Sequence, residues 1–464
     1  MSPRQTSVLV GNGAGFLGDQ LEAPRRLVEA VRLDYLTLEY LAELTLSILA
    51  RQREKDPAAG YAADFVEVLA SLAPALTDQP GLRLITNAGG MNPPACAAAA
   101  ASVLCAAGLP SARIGVVSGD DLLERLAELR QAGCRFEHLD TGQAFDFQLQ
   151  TPVCANAYLG AQPIAEALAG DVRLVVTGRV ADASLTLGPL VHEFGWAWDD
   201  WNRLAAGSVA GHLIECGAQV TGGYLSDWYG LDLAHVGYPI AEIAPDGTTV
   251  ITKPKDTGGR VNRETVAAQL VYEIGDPAHY LTPDVDCDFT TVELAESGVD
   301  RVQVSGATGR QAPTHYKVSL AYRNGYMTSG QLLVAGADCV RRAHHCAEMV
   351  FARLRDAGWT FEETLVECLG AGDGVPGSPP HNPPEVTLRI SVRDPRRTAV
   401  ERFGRELAPL VTSGPAGLAG YVSARGPVRP VYAYWPTLVP RELAPPKVKV
   451  RTAAEWVERG KRSG

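Results

Sequence analysis

The sequence predicts an α/β protein: a mostly parallel, Rossmann-like sheet in the N-terminal half, then an α+β half with longer antiparallel strands. Two observations carry this. An apolar strand, a glycine-bearing turn and a helix recur as one unit, beginning at Thr6, Leu82 and Val172, the alternation that builds parallel sheets. Beyond Gly223 the alternation gives way to long β-rich runs such as Val292 to Val304 and Tyr316 to Val334. The change places a boundary between Tyr224 and Pro239. The expected domains are residues 1–230, residues 231–445 and a polar, basic tail over 446–464.

Taken in order, Thr6 to Val10 is the first strand, followed by Gly11-Asn12-Gly13-Ala14-Gly15-Phe16-Leu17-Gly18. The glycines allow close approach of a ligand, and Gly13 and Gly15 are candidate contacts. The turn is similar to a dinucleotide fingerprint, with an extra residue before its last glycine. The acid that fingerprint wants about 20 residues on would be Asp34, at the start of the next strand. Glu39 to Arg53 and Tyr61 to Leu76 carry apolar residues at helical spacing.

The second unit runs from Leu82 through Asn87-Ala88-Gly89-Gly90-Met91-Asn92-Pro93 into an alanine-rich helix ending near Leu109. Asn92 suits the N-cap and Pro93 the first helical position. Such a helix start directs N–H groups and partial positive charge outward, a place for a carboxylate, phosphate or thioester oxygen. Asn87, Gly89, Gly90 and Asn92 are therefore candidate ligand contacts. Cys96 in the first turn is either a thiol of lowered pKa or a packed core residue. Asp120 and Asp121 after the strand at Ile114 to Val117 read as helix-starting aspartates.

The third unit carries Thr177-Gly178-Arg179-Val180-Ala181-Asp182. Arg179 offers a fork for a bound anion, and Asp182 could orient it, act as a base or cap the helix. A further helix from Leu204 ends in His212-Leu213-Ile214-Glu215-Cys216-Gly217. His212, Glu215 and Cys216 share a face at this spacing, a set suited to acid–base or covalent chemistry. Thr221 and Gly222 follow in a loop read as facing a ligand. Pro239 to Ile251 is a hairpin turning at Asp246-Gly247. The basic loop from Lys253 to Arg260 supplies Lys253, Gly258 and Gly259 as further contacts. Asn262 caps a helix to Ile274; Cys339 to Ala357 and Arg397 to Ser413 are helices, and Ala371 to Pro384 is a Gly/Pro-rich loop.

Composition narrows the classes. The 464 residues are 46% hydrophobic and 20% charged, with a net charge of −11. That acidity argues against nucleic acid and anionic membrane surfaces as partners. Nine cysteines are scattered without a CxxC pair, so no disulfide framework and no metal site is expected. No signal peptide and no membrane-length apolar run is seen, and the chain reads as cytoplasmic.

Gly11 to Phe16, Leu33-Asp34-Tyr35-Leu36, Asn87 to Pro93, Thr177 to Asp182, His192 to Trp196, Glu215-Cys216-Gly217 and Thr257-Gly258-Gly259 together resemble the AtuA family, named for acyclic terpene utilisation. The resemblance spans about Val8 to Val450. It departs at Glu39, where Asp is expected, and at Lys255-Asp256, where Pro-Gly is expected. It implies catabolism of branched isoprenoid acids handled as CoA thioesters. Many relatives carry an additional small ferredoxin-like domain after the matched region. A separate ferredoxin-like chain, or a second copy of this chain, is thus the expected protein partner.

The leading expectation is an enzyme acting on a small carboxylate or acyl thioester by lyase, hydratase or acyl-transfer chemistry. Asn87, Arg179 and the N–H groups after Gly90 would hold an oxyanion or carboxylate. Cys96, Asp182, His212, Glu215 and Cys216 would move protons or attack. The alternatives are a non-catalytic acyl-CoA-binding or scaffold subunit, and a nucleotide- or NAD(P)-dependent enzyme. The cofactor requirement stays open, with a CoA thioester as the expected substrate form.

Overall fold

The computed structural model describes residues 6–375, 377–379, 381 and 383–463; the polar stretch Met1 to Gln5 and Gly464 lie outside them. The chain is mixed α/β and divides into two compact units. One comprises residues up to 145, 152–320 and 434 onward; the other comprises 146–151 and 321–433.

The first unit is organised by a ten-stranded sheet. Its strands include β1 (Val8–Ala14), β2 (Tyr35–Leu38), β3 (Arg83–Thr86) and β4 (Arg113–Ser118). After β5 (Pro152–Ala157), which lies off this sheet, come β6 (Leu174–Thr177), β7 (Ile240–Ile243) and β8 (Thr249–Thr252). Five strands in the order β1-β2-β3-β6-β4 are parallel. On one side β7, β8 and the hairpin Glu293–Gly298/Arg301–Ser305 extend them antiparallel. On the other, Lys447–Thr452 closes the edge antiparallel to β4.

The sheet therefore runs through the boundary expected near residue 230. The change of pattern there marks a switch from parallel to antiparallel strands. The expected tail differs too. Lys447–Thr452 is an edge strand, and Trp456 of the following helix is buried in the core, its Nε1–H donating to the Ile114 carbonyl at 3.2 Å. The lysines of Lys447-Val448-Lys449-Val450 give an edge strand its polar face.

Successive strand residues point to opposite faces. Leu36, Leu38, Leu84, Ile114, Val116, Leu174 and Val176 join one core with helices Ala23–Ala30, Asp64–Asp78 and Pro93–Ala106. Each buried leucine there contributes roughly 1.5–3 kcal/mol relative to exposure. Helices Gln162–Leu168, Ser184–Phe194 and Trp201–Glu215 pack on one another as a second group, the last two against β1. The carboxyl ends of β1, β2, β3 and β6 open at one edge, where ligand crevices form in sheets of this class.

Several local expectations shift. The helical pattern from Glu39 resolves into an irregular segment over Glu39 to Ala42 before helix Glu43–Lys55. Asp120 starts no helix: it is buried and accepts from the Arg179 backbone N–H and from Asn156, each at 2.8 Å. The helix expected over Arg397 to Ser413 breaks into Arg397–Phe403 and Leu410–Ser413, with Pro409 ahead of the second.

The second unit is antiparallel. The C-terminal part of the long strand His315–Ala335 pairs with Glu385–Asp394, from Tyr326↔Asp394 to Ala335↔Glu385. Glu363–Leu369 pairs on the far side of Glu385–Asp394, whose alternate residues Val386, Leu388, Ile390 and Val392 are buried. Helix Cys339–Asp356 covers that face with Ala343, Cys346, Val350 and Leu354.

Candidate active site

A cleft of about 620 Å³ lies in the first unit, lined among others by Tyr158, Arg179, Asp182, His212, Glu215 and Tyr280. A strand-to-helix turn and a helix end build it. The turn after β6 brings Arg179 and Asp182, and helix Trp201–Glu215 ends by presenting His212 and Glu215. Asp200 caps the start of that helix, accepting from the Arg203 N–H at 3.4 Å. Its far end is held by the end of β1 and the turn after it. Asn12 Nδ2 donates to the carbonyls of Ile214 at 2.5 Å and Glu215 at 2.8 Å. A Cβ at Gly15 would lie 2.7 Å from the carbonyl carbon of Cys216. The first glycine turn thus fixes where Glu215 stands.

Glu215 and His212 form a pair, Oε1 to Nδ1 at 3.1 Å. The other ring nitrogen of His212, Nε2, faces the Gln269 carbonyl at 2.9 Å. A carbonyl only accepts, so Nε2 carries a proton and the variable proton sits between Nδ1 and Glu215. Tyr280 and Phe289 flank the imidazole, their ring centroids 5.7 and 5.5 Å away. Burial raises the Glu215 carboxyl to about 7, against the lowering effect of His212. His212 is pulled down by burial, yet the bond and charge of Glu215 leave it raised on balance. The pair titrates as a unit. Glu215 Oε2 has no protein partner.

Arg179 is 2% exposed and Asp182 35%. Arg179 Nη1 donates to Asp182 Oδ1 at 2.6 Å and to the Leu41 carbonyl at 2.7 Å. Its guanidinium carbon lies 4.1 Å from the centroid of the Tyr158 ring. The cation expected to grip a ligand thus holds Asp182 and stacks on Tyr158. Glu39 completes the group. It is buried, accepts from the Leu41 N–H at 2.9 Å and from Asn87, and leaves Oε2 without a partner. Burial and then the charge of Asp182 hold Glu39 well above the ordinary carboxylate range. Three carboxyl groups share the field of one guanidinium. Asp182 takes the direct ion pair, and Glu39 and Glu215 keep protons to higher pH.

The structure brings Arg179, Asp182, His212 and Glu215 together in the cleft and places the other sequence candidates elsewhere. Cys96 is buried in the sheet–helix core, and burial pushes its thiol upward. Cys216 is half-buried, and burial and the neighbouring Glu215 push its thiol up as well. Neither lines the cleft.

The N–H groups after Gly90 serve the protein itself: Met91 donates to the Gly60 carbonyl and Asn92 to the Gly89 carbonyl, each at 2.8 Å. Asn87 Oδ1 accepts from the Tyr40 N–H at 2.8 Å. Asn92 caps its helix as expected, accepting from the Ala95 N–H at 3.4 Å, and donates to the carbonyls of Pro57 and Ala59. A Cβ at Gly89 would come 2.4 Å from the Thr177 carbonyl, and one at Gly13 would come 2.9 Å from Pro24. These glycines pack chain against chain. Asp34 accepts from the Leu9 N–H at 2.8 Å, at the opposite end of β1 from the glycine turn.

Thr221, Gly222, Gly258 and Gly259 belong to a second loop pair. The Thr221 carbonyl accepts from the Arg260 N–H at 2.9 Å, and a Cβ at Gly259 would lie 2.3 Å from that carbonyl oxygen. Lys253 donates to the Thr257 carbonyl at 2.8 Å and pairs with Asp300 at 3.1 Å. Glu39, Asn12, Tyr158 and Tyr280 were not among the sequence candidates. For Glu39 one signal existed, an acid directly after an apolar strand; the helical spacing of the residues after it masked that signal.

The family model described as "Acyclic terpene utilisation family protein AtuA" matches residues 8–450. No match was found among curated proteins, and none among solved structures.

Proposed function

This chain belongs to the acyclic terpene utilisation family, and from that premise we propose an enzyme that moves protons on a branched, isoprenoid-type acid carried as an acyl thioester. The observation that carries the reading is Glu215: a cleft-lining carboxyl raised to about 7, backed by His212, with one buried oxygen, Oε2, left without a protein partner. A general acid–base near the working pH transfers a proton in either direction. His212 supplies or stores that proton through Nδ1 while Nε2 stays on the Gln269 carbonyl.

Hydratase or lyase chemistry fits this arrangement better than acyl transfer, because the thiols of Cys96 and Cys216 are off the cleft and raised. In hydration, Glu215 takes a proton from water as its oxygen bonds the β-carbon, and that proton returns to the α-carbon. Tyr158 and Tyr280 offer aromatic walls to a branched chain, and the exposed Lys317 beside the Tyr158 ring offers positive charge to an anionic carrier.

The test is incubation of the full chain with α,β-unsaturated branched acyl-CoA thioesters, read by mass spectrometry. The reading expects gain of one water, lost in Glu215→Gln. Binding without turnover would favour the non-catalytic acyl-CoA-binding role. Absence of both binding and turnover would refute the acyl-thioester assignment.

A further inference from the structure

We propose that the second unit binds a borderline-soft divalent cation of the Zn²⁺ type through Cys368 Sγ, His344 Nε2 and a carboxylate oxygen of Asp373. This site is separate from the cleft and independent of the reading above. These three side chains come from three places: helix Cys339–Asp356, strand Glu363–Leu369 and the glycine-rich turn after it. The sequence separation, 24 residues from His344 to Cys368 and five more to Asp373, hides the set from any motif search.

Their ligand atoms all lie within 4.8 Å of one another. Cys368 Sγ is 3.7 Å from His344 Nε2. Ligands at the usual Zn–S and Zn–N distances on a tetrahedral ion stand about 3.5 Å apart, so this pair needs almost no movement. Asp373 is already oriented: Oδ2 accepts the Cys368 backbone N–H at 2.8 Å. That leaves Oδ1 for a cation, the kind of outer bond that fixes a ligating carboxylate.

The ligand chemistry selects the ion. A thiolate and an imidazole with a single carboxylate suit Zn²⁺ or Co²⁺ and are poor for Mg²⁺ or Ca²⁺, which take oxygen shells. Without a cation, burial and the Asp373 charge raise the Cys368 thiol to about 11. On binding, the Cys368 S–H proton is released to solvent as the S–metal bond forms, and no electron changes hands. The fourth position is left to water. His344 also lines an open depression of about 1020 Å³, which gives the ion an entry path. A bound ion would tie the loop after Leu369 to the helix that covers this sheet.

The test uses the full chain, freed of metal with a chelator and titrated with Co²⁺. The expected result is one Co²⁺ per chain, with thiolate-to-cobalt charge-transfer absorption in the near ultraviolet, displaced by Zn²⁺. Cys368→Ser should abolish that absorption. His344→Ala and Asp373→Asn, both at exposed positions, should keep the fold. Each should weaken binding by more than about tenfold, the loss already seen when only a supporting group around a metal is removed. If Cys368→Ser does not fold, those two exposed variants carry the test. Absence of charge-transfer absorption at saturating Co²⁺, its survival in a folded Cys368→Ser, or wild-type affinity in both exposed variants would overturn the site.

Discussion

The turns after β3 and β6 read alike in the sequence and end in different roles. Both follow a buried apolar strand, both carry glycine and both start a helix. After β3, every polar group turns inward: Asn87 serves Tyr40 and Glu39, and Asn92 serves Ala95, Pro57 and Ala59. After β6, Arg179 and Asp182 stand at a cleft. A long, ion-forming side chain makes the difference. Arg179 needs a partner when buried, and that requirement brings Asp182, Tyr158 and the Leu41 carbonyl into one cluster. Asn87 and Asn92 are short amides satisfied by backbone groups and, for Asn87, by the Glu39 carboxyl. A glycine turn alone therefore marks close packing; here the glycine turn with a buried ion pair is the one that lines a cleft.

The largest effect should come from Glu215→Gln, which keeps the shape and removes the titrating proton. Turnover of the acyl thioester should fall about 10²–10⁴-fold, the range supplied by one general acid–base group. Binding should change much less. A variant retaining near-wild-type kcat would move the proton chemistry elsewhere.

Next comes Arg179→Ala. It leaves Asp182 without its cation and buries the cavity of a guanidinium. Loss of about 2–5 kcal/mol in unfolding free energy is expected, the scale of cutting a large buried side chain to alanine. Asp182→Asn should cost less, since the amide oxygen still accepts from Arg179 Nη1 and no cavity forms. Equal, negligible shifts in the urea midpoint for both would remove the ion pair as the organiser of the β6 turn.

The third effect is a pH slope. Glu215 is raised from an ordinary 4.5 to about 7 in the folded protein. Between those values the folded state binds more protons than the unfolded one, so stability falls as pH rises and levels off above 7. His212, also raised, acts in the same direction at the upper end. Urea midpoints measured across this window should decline less in Glu215→Gln than in the wild type. A steeper decline in the variant would reverse the assignment.

The smallest effect is at Cys96. Its thiol is buried and raised, so alkylation of the native chain should leave it unmodified while the part-buried Cys105 and Cys134 react. Rapid labelling of Cys96 that bound ligand blocks would restore the β3 turn as part of the site.

Much of this was legible from residue order. Strand–glycine–helix units located the parallel strands, Asn92 and Asn262 fixed helix starts, and the His212–Glu215 spacing put both groups on one face. What escaped depends on long-range geometry. Glu39 follows its strand directly, but the helical spacing after it hid the irregular segment that carries it. Asn12 reaches Glu215 across 203 residues. Lys447 to Val450 alternates like a strand, yet its charge and position read as a tail. The Cys368–His344 contact joins residues 24 apart. Periodicity reports which face a residue occupies, not which distant element meets that face.

Acid–base work by this cleft requires that Glu215 hold a shared proton with His212 near neutral pH. Infrared difference spectra of wild type minus Glu215→Gln, recorded during a pH titration, read that carboxyl directly. A protonated-carboxyl band that disappears with a midpoint near 7 is the predicted result. A band already lost around pH 4, in the ordinary carboxylate range, would contradict it.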